Sequence, residues 1–257
     1  GRGMRAILGP DEIEIKVREG QREAESAFGN GAGYLEKMIT KARHVEVQIL
    51  GDKYGNIYHV GERDCSLQRR SQKVIERAPA PYLTDKQRNE LCSMAYELCK
   101  SVSYECAGTV EFLMDMETEK FYFIEVNPRI QVEHTVTEEI SGIDIVQAQI
   151  LIAEGKTLVE ATGKNTQSEI ILNGHAIQTR VTTEDPQNNF IPDHGRITAF
   201  RSATGMGIRL DGGTAYSGGE ISRYYDSLLV KVTAWAQTPQ KAIARMDRAL
   251  REFRIRG

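Results

Sequence analysis

Two runs of strand-forming residues, Thr109-Val110-Glu111-Phe112-Leu113-Met114-Asp115 and Phe121-Tyr122-Phe123-Ile124-Glu125-Val126-Asn127, flank the short stretch Met116 to Lys120. That stretch is long enough for a hairpin loop. Pairing centred on Thr118 sets Glu111 opposite Glu125, and Asn127 shares the face of Glu125 because side chains alternate along a strand. Two carboxylates opposed on a sheet repel each other. A hard divalent cation offsets that repulsion, and oxygen-only ligands suit Mg²⁺ or Mn²⁺. A solvated hairpin with two exposed acids is the alternative that the pairing alone leaves open. Beyond Pro128, a continued extended chain points Asn127, Arg129, Gln131 and Glu133 the same way. Arg129 could then hold a small anion and Glu133 deprotonate it. His134 has no second ligand or nucleophile evident near it and reads as a hydrogen-bonding residue rather than a catalyst.

The elements that must position these groups are mixed helix and strand. Residues from about Asp11 to Phe28 have helical spacing, with Ile13, Val17, Ala24 and Phe28 on one side. In His44 to Leu50, Val45, Val47 and Ile49 alternate with polar residues, which predicts a half-buried strand, and Ile57 to Val60 return as a second. A polar, basic segment occupies 61–82 and ends in Ala78-Pro79-Ala80-Pro81, which breaks helices. Thr84 with Gln87 forms a capping box for a helix whose buried face is read as Leu91, Met94, Ala95, Leu98 and Val102. Asp144 to Glu154 read as a further helix. The polar, weakly patterned stretch 156–169 is taken as a domain boundary. Strands are expected at 175–182, 196–201, 207–211 and 228–235. Thr238-Pro239 opens a last helix with Ile243, Met246, Leu250 and Phe253 facing a core.

Composition narrows the function class. Across 257 residues, 33 Lys+Arg stand against 36 Asp+Glu, a net charge of −3. That lacks the basic excess of a nucleic-acid coat. Apolar runs fall far short of the ~20 residues that span a bilayer. Cys65, Cys92, Cys99 and Cys106 make no C-x-x-C pair, so neither a zinc knuckle nor a thioredoxin motif is expected. Cys92 and Cys99, seven apart, read as packing on one helix face.

Phe123-Ile124-Glu125-Val126-Asn127-Pro128-Arg129-Ile130-Gln131-Val132-Glu133-His134-Thr135-Val136-Thr137-Glu138 closely resembles the biotin carboxylase signature of the ATP-grasp superfamily. Arg63-Asp64-Cys65-Ser66, with Gln68-Arg69-Arg70 and Gln72-Lys73, resembles its other signature, and Gly1-Arg2-Gly3-Met4-Arg5 looks like the end of its glycine-rich phosphate loop. Thr182-Thr183-Glu184-Asp185-Pro186, Arg209-Leu210-Asp211-Gly212-Gly213 and the run Leu229 to Trp235 are similar to the pyruvate carboxylase branch, as is the end of the chain, Arg251 to Gly257.

This resemblance implies an α+β fold. Residues 1–38 would be a remnant of the ATP-grasp lid, 39–169 the ATP-grasp core and 170–257 an incomplete biotin carboxylase C-terminal domain. The activity implied is ATP- and bicarbonate-dependent carboxylation of biotin through carboxyphosphate, the first half of converting pyruvate to oxaloacetate. The cofactors would be ATP, Mg²⁺ or Mn²⁺, and biotin on a carrier domain outside this chain. Metal would bind Glu111, Glu125 and Asn127. Lys73, Arg129, Gln131, Val132 and Glu133 would form the bicarbonate pocket, with Glu133 the base. Arg209 would stabilise the biotin enolate. Gly1, Gly3, Met4, Glu36, Lys37, Ile39, His44, Gln68, Ser71 and Leu113 would surround the nucleotide, with Ser71 standing where many relatives have His. The partners implied are bicarbonate, carrier and carboxyltransferase domains, and a second copy of the chain. The compartment would be the bacterial cytoplasm or the mitochondrial matrix. An acyl-CoA or urea carboxylase is one rival. An inert fragment or association module is another. Carbamoyl-phosphate synthetase shares the metal hairpin but should lack the Gln131-Val132-Glu133-His134 run. The chain is expected to be cut from a longer protein and, alone, not to carboxylate biotin at a useful rate.

Overall fold

The computed structural model describes residues 3–213 and 215–257. They fall into two compact units, one ending at Lys41 and one running from Ala42 to Gly257. In the first, a 3-10 turn at Pro10–Glu12 leads into helix α1 (Ile13–Phe28), closed by Gly29 in the left-handed region. Gly3 lies against this helix, and a Cβ on Gly20 would stand 2.6 Å from the Gly3 carbonyl oxygen, so only glycine fits there.

The second unit is built on strands β1 (Ala42–Gly51), β2 (Ile57–Arg69), β3 (Gln72–Ala78), β4 (Cys106–Asp115), β5 (Phe121–Asn127) and β6 (His175–Thr182). The short strands β7 (Glu184–Asp185), β8 (Ile191–Pro192), β9 (Gly195–Arg196) and β10 (Ala199–Arg201) follow. Then come β11 (Ile208–Gly212), β12 (Glu220–Ile221), β13 (Leu228–Ala236) and β14 (Arg254–Arg256). Eight strands form one sheet in the order β11-β13-β6-β3-β2-β1-β4-β5. Every pairing in it is antiparallel. The helices are α2 (Asp85–Ser101), α3 (His134–Ser141), α4 (Ile145–Ala153), α5 (Leu158–Thr162) and α6 (Pro239–Glu252).

Strand β1 is buried on both faces, not one. Val45, Val47 and Ile49 pack with α2 through Leu91, Cys92, Ala95 and Cys99. On the other face Leu50 packs with α4 and α5, while Glu46 and Gln48 are buried in a polar layer. The polar, basic segment 61–82 completes β2 and forms β3, because its charges find partners inside the sheet. The 156–169 stretch contains α5, whose capping box of Thr157 and Glu160 starts the helix and whose Leu158 and Ala161 are buried. The Thr84–Gln87 box is present as expected.

Two helix faces turn differently from the sequence reading. In α2 the inward residues are Leu91, Cys92, Ala95 and Cys99, with Met94 and Val102 exposed. In α6 they are Ala242, Met246 and Ala249, with Ile243 and Leu250 largely exposed. Small residues let these helices lie close to the sheet, and the larger apolar side chains are carried to the flank. All four cysteines are free thiols.

Candidate active site

The carboxylate hairpin is strands β4 and β5. Glu111 pairs directly with Glu125, and Thr109 with Asn127. Nearer the loop the register is one residue different, with Met114 against Phe121 and Phe112 against Phe123. A bulge between Glu111 and Phe112 restores it. Asn127 Nδ2 donates to Glu111 Oε1 (2.9 Å) and reaches Glu125 Oε1 (3.4 Å), so the three converge.

On its other side Glu111 pairs with Glu46 of β1, which itself pairs with Arg63 of β2. A row of charge therefore crosses four strands, and the repulsion within it is offset by cations. Lys73, at the start of β3, donates from Nζ to Glu46 Oε2 (2.5 Å) and Glu111 Oε1 (2.7 Å), and lies 2.8 Å from Glu133 Oε1. His44 Nε2 stands 2.8 Å from Glu111 Oε2. Arg63 is fully buried, and all five N–H groups of its guanidinium are used: Nε to Glu46, Nη1 to Gln48 and Thr137, Nη2 to Thr109 and Gln131.

Past Asn127 the chain does not stay extended. Arg129 N bonds back to Asn127 O, the backbone turns, and Glu133 becomes the N-cap residue of α3. The turn still brings the groups together. Gln131 Nε2 donates to Glu111 Oε1 (2.8 Å), and Glu133 reaches Lys73. Arg129 is exposed and donates to Asn127 Oδ1 (3.3 Å). Val132 accepts from Lys231 through its carbonyl (3.0 Å).

Glu133 meets a second cation, the guanidinium of Arg180 on β6. Arg180 Nη2 lies 3.2 Å from Glu133 Oε2 and 2.7 Å from Glu76 Oε1. Arg209, on β11, is bonded to Glu138 and Asp211. Sequence reasoning passed over Arg180, Glu46 and Glu76. Each sits in a strand where alternation alone predicts a solvent-facing polar residue, and only the cross-strand register shows them facing one another.

Burial raises the Glu111 carboxyl, but the His44 contact and the Lys73 charge outweigh it and hold it far below the usual carboxylate range. Glu133 is also lowered: burial opposes this, and Lys73, Arg63 and Arg180 prevail. Glu76 goes the other way. Burial, reinforced by Glu133 and Glu46 and only partly opposed by Arg180, pushes it up to about 7. Burial alone would lower Lys73, yet the surrounding glutamates hold it firmly protonated. Lys73 is thus a permanent cation and Glu133 an ionised carboxylate at neutral pH.

Among the nucleotide candidates, His44 and Leu113 are cross-strand partners on β1 and β4. Gln68 Nε2 lies 3.0 Å from His44 Nδ1 and pairs in register with Lys73. Ser71 occupies the β2–β3 turn with φ 64. Gly3, Met4, Glu36, Lys37 and Ile39 belong to the first unit, where Met4, Glu36 and Lys37 are exposed. Gly1 lies outside the described residues.

The donor set suits a hard cation. Glu46, Glu111 and Glu133 share Lys73, and among the described residues Glu125 at the hairpin is met by Asn127 rather than by a cation. Glu111, Glu125 and Asn127 offer oxygen there. His44, Glu46 and Glu111 also bring ligand atoms within 4.8 Å of one another.

Residues 1–161 match the family described as carbamoyl-phosphate synthase L chain, ATP binding domain, and residues 178–257 match the biotin carboxylase C-terminal domain. The chain belongs to the biotin carboxylase family. It is 53% identical over 258 residues to pyruvate carboxylase of Bacillus subtilis, a match that takes in all of this chain and 22% of that protein. A Rhizobium etli pyruvate carboxylase variant, solved with the activator acetyl coenzyme-A, superposes with a TM-score of 0.95 at 63% identity over 100% of this chain and 23% of that one. Campylobacter jejuni biotin carboxylase, solved as a β-γ-ATP complex, gives 0.93 at 44% identity, covering 100% of this chain and 55% of that one. The biotin carboxylase chain described here therefore spans about a fifth of the length of the pyruvate carboxylases it matches.

Proposed function

We propose that this chain carries the biotin carboxylase half-reaction of a pyruvate carboxylase. ATP and bicarbonate give ADP and carboxyphosphate, whose carboxyl group passes to biotin and finally to pyruvate. The observation that carries this reading is the convergence of Lys73 and Arg180 on Glu133 beside the Glu111–Glu125–Asn127 hairpin. The similarity to pyruvate carboxylases over the whole chain supports it.

Bicarbonate enters between Lys73 and Glu133, with Arg129, Gln131 and the Val132 backbone lining its pocket. Once the anion shares Lys73, Glu133 loses part of the charge that holds its carboxyl down and becomes a stronger base. It then takes the bicarbonate proton, and the freed oxygen attacks the γ-phosphate while ADP leaves. A divalent cation held by Glu111, Glu125 and Asn127 would neutralise charge on the ATP phosphates. Within the sheet unit, His44, Gln68, Ser71 and Leu113 hold the nucleotide. Arg209 meets the negative charge that develops when biotin loses its proton, and Arg180 holds Glu133. Biotin arrives on a carrier domain of the parent protein, which acts as an oligomer in the cytoplasm of a bacterium or in a mitochondrion.

The test is bicarbonate-dependent ADP release by the full-length protein with free biotin. Glu133→Gln keeps the size but cannot take a proton, so turnover should fall by ~10²–10⁴-fold while ATP still binds. Near-normal turnover in that variant would place the base elsewhere.

A further inference from the structure

A line of buried polar contacts leaves the pocket on the side away from the hairpin. Lys231 on β13 is buried and donates from Nζ to the Val132 carbonyl (3.0 Å). It also stands 3.0 Å from His134 Nε2. His134 Nδ1 is 3.1 Å from Glu138 Oε1, and Glu138 Oε2 takes a hydrogen bond from Arg209 Nη1 (2.7 Å). Asp211 holds the other face of that guanidinium. The line therefore runs from the peptide next to Glu133, across α3, to β11.

Donor and acceptor chemistry makes the histidine the necessary joint. An ammonium only donates and a carboxylate only accepts. An imidazole with its proton on Nδ1 accepts from Lys231 and turns its N–H toward the Glu138 carboxylate, 3.1 Å away. The place of this joint matters because Glu133, the N-cap of α3, makes no side-chain capping bond. Backbone bonds close the turn, from His134 N to Gln131 O (3.2 Å) and from Val136 N to Glu133 O (3.4 Å), but no capping side chain fixes it. The Lys231 bond to the Val132 carbonyl and the His134 contacts instead anchor the peptide on either side of Glu133.

We propose that His134 is a positioning residue, which fixes the Val132–Glu133 peptide through Lys231 and ties it to the Arg209 cluster through Glu138. The proposal rests on the reading of Glu133 as the bicarbonate base.

The experiment uses the full-length protein and measures kcat and the bicarbonate KM from ADP release, with ATP binding measured separately. Glutamine places an amide near Nε2 and can still meet Lys231, whereas asparagine places one near Nδ1 and can meet only Glu138. His134→Asn and His134→Ala should raise the bicarbonate KM by about tenfold or more, since an ångström of misplacement can cost up to ~10²-fold. His134→Gln should stay within about threefold of wild type, and ATP affinity should hold in all three. Lys231→Met, which removes the bond to the Val132 carbonyl, should raise the same KM by a similar factor, and it decides the matter if the His134 variants do not fold. Equal KM values for the Asn and Gln variants, or a parallel loss of ATP affinity, would overturn the proposal. If Glu133→Gln retains bicarbonate-dependent turnover, the reading of the base fails instead, whatever the His134 variants do.

Discussion

A guanidinium with every N–H committed leaves no vacancy for a smaller cation to use. Arg63→Lys replaces five planar donors with a point charge and strands acceptors on Gln48, Thr109, Thr137 or Gln131. Breaking a buried pair of this kind costs ~3–5 kcal/mol, and the urea midpoint of the variant should fall accordingly with an unchanged m-value. Glu76 gives a pH prediction. Its folded-state value of about 7 lies above the ordinary 4.5, so the folded state holds the proton more tightly. The stability this contributes is full below 4.5 and is lost as pH rises through about 7. Glu76→Gln should therefore flatten the fall of the thermal midpoint across that window, and an unchanged slope would assign the dependence to another group. Such residues are the least legible in the sequence. Glu46 looks like the polar half of an alternating strand, and nothing near it in sequence announces that Arg63, Lys73 and Glu111 fill the space it faces.

At the scale of elements the sequence was more open to reading. Thr84 with Gln87 and the alternation of β1 identify themselves through short-range chemistry. The β4–β5 pairing was legible in outcome but not in detail: the loop closes one residue away from a Thr118-centred turn, and the bulge before Phe112 cancels the difference. A bulge has no composition of its own, so only the final opposition of Glu111 and Glu125 could be foreseen. Where Pro128 seemed to continue a strand, the turn into α3 instead brings Gln131 and Glu133 back over the sheet. The β2–β3 turn offers a test of local strain, because Arg70 and Ser71 both have positive φ (51 and 64). Each such residue costs roughly 1 kcal/mol in the left-handed region. Replacing the pair by Asn-Gly, which suits that turn, should stabilise the protein by ~1 kcal/mol in chemical denaturation. A loss of stability would mean that the contacts of Arg70 with Asn189 outweigh the strain.

At the scale of the whole molecule, residues 42–257 are organised by one sheet with apolar clusters against α2, against α4 and α5, and against α6. Local stability should follow that order of burial. Amide exchange should be slowest at residues 45–51 of β1, buried on both faces, and fastest across the two-residue strands between 184 and 196. Comparable rates in the two regions would contradict it. The meeting of β3 with β6, where Ile75, Glu76, Arg77 and Ala78 pair with Thr179, Gln178, Ile177 and Ala176, has a consequence for exchanging parts between relatives. The regions matching the two families are stitched together by a hydrogen-bonded ladder, and their shared seam carries the Glu76–Gln178 bond and the Arg180 contact with Glu76. A chimera joined in the connecting stretch near residue 170 would have to inherit compatible ladders from both parents. A mismatched pair would leave two open strand edges, and such a hybrid would be lost to edge-to-edge association before its chemistry could be measured.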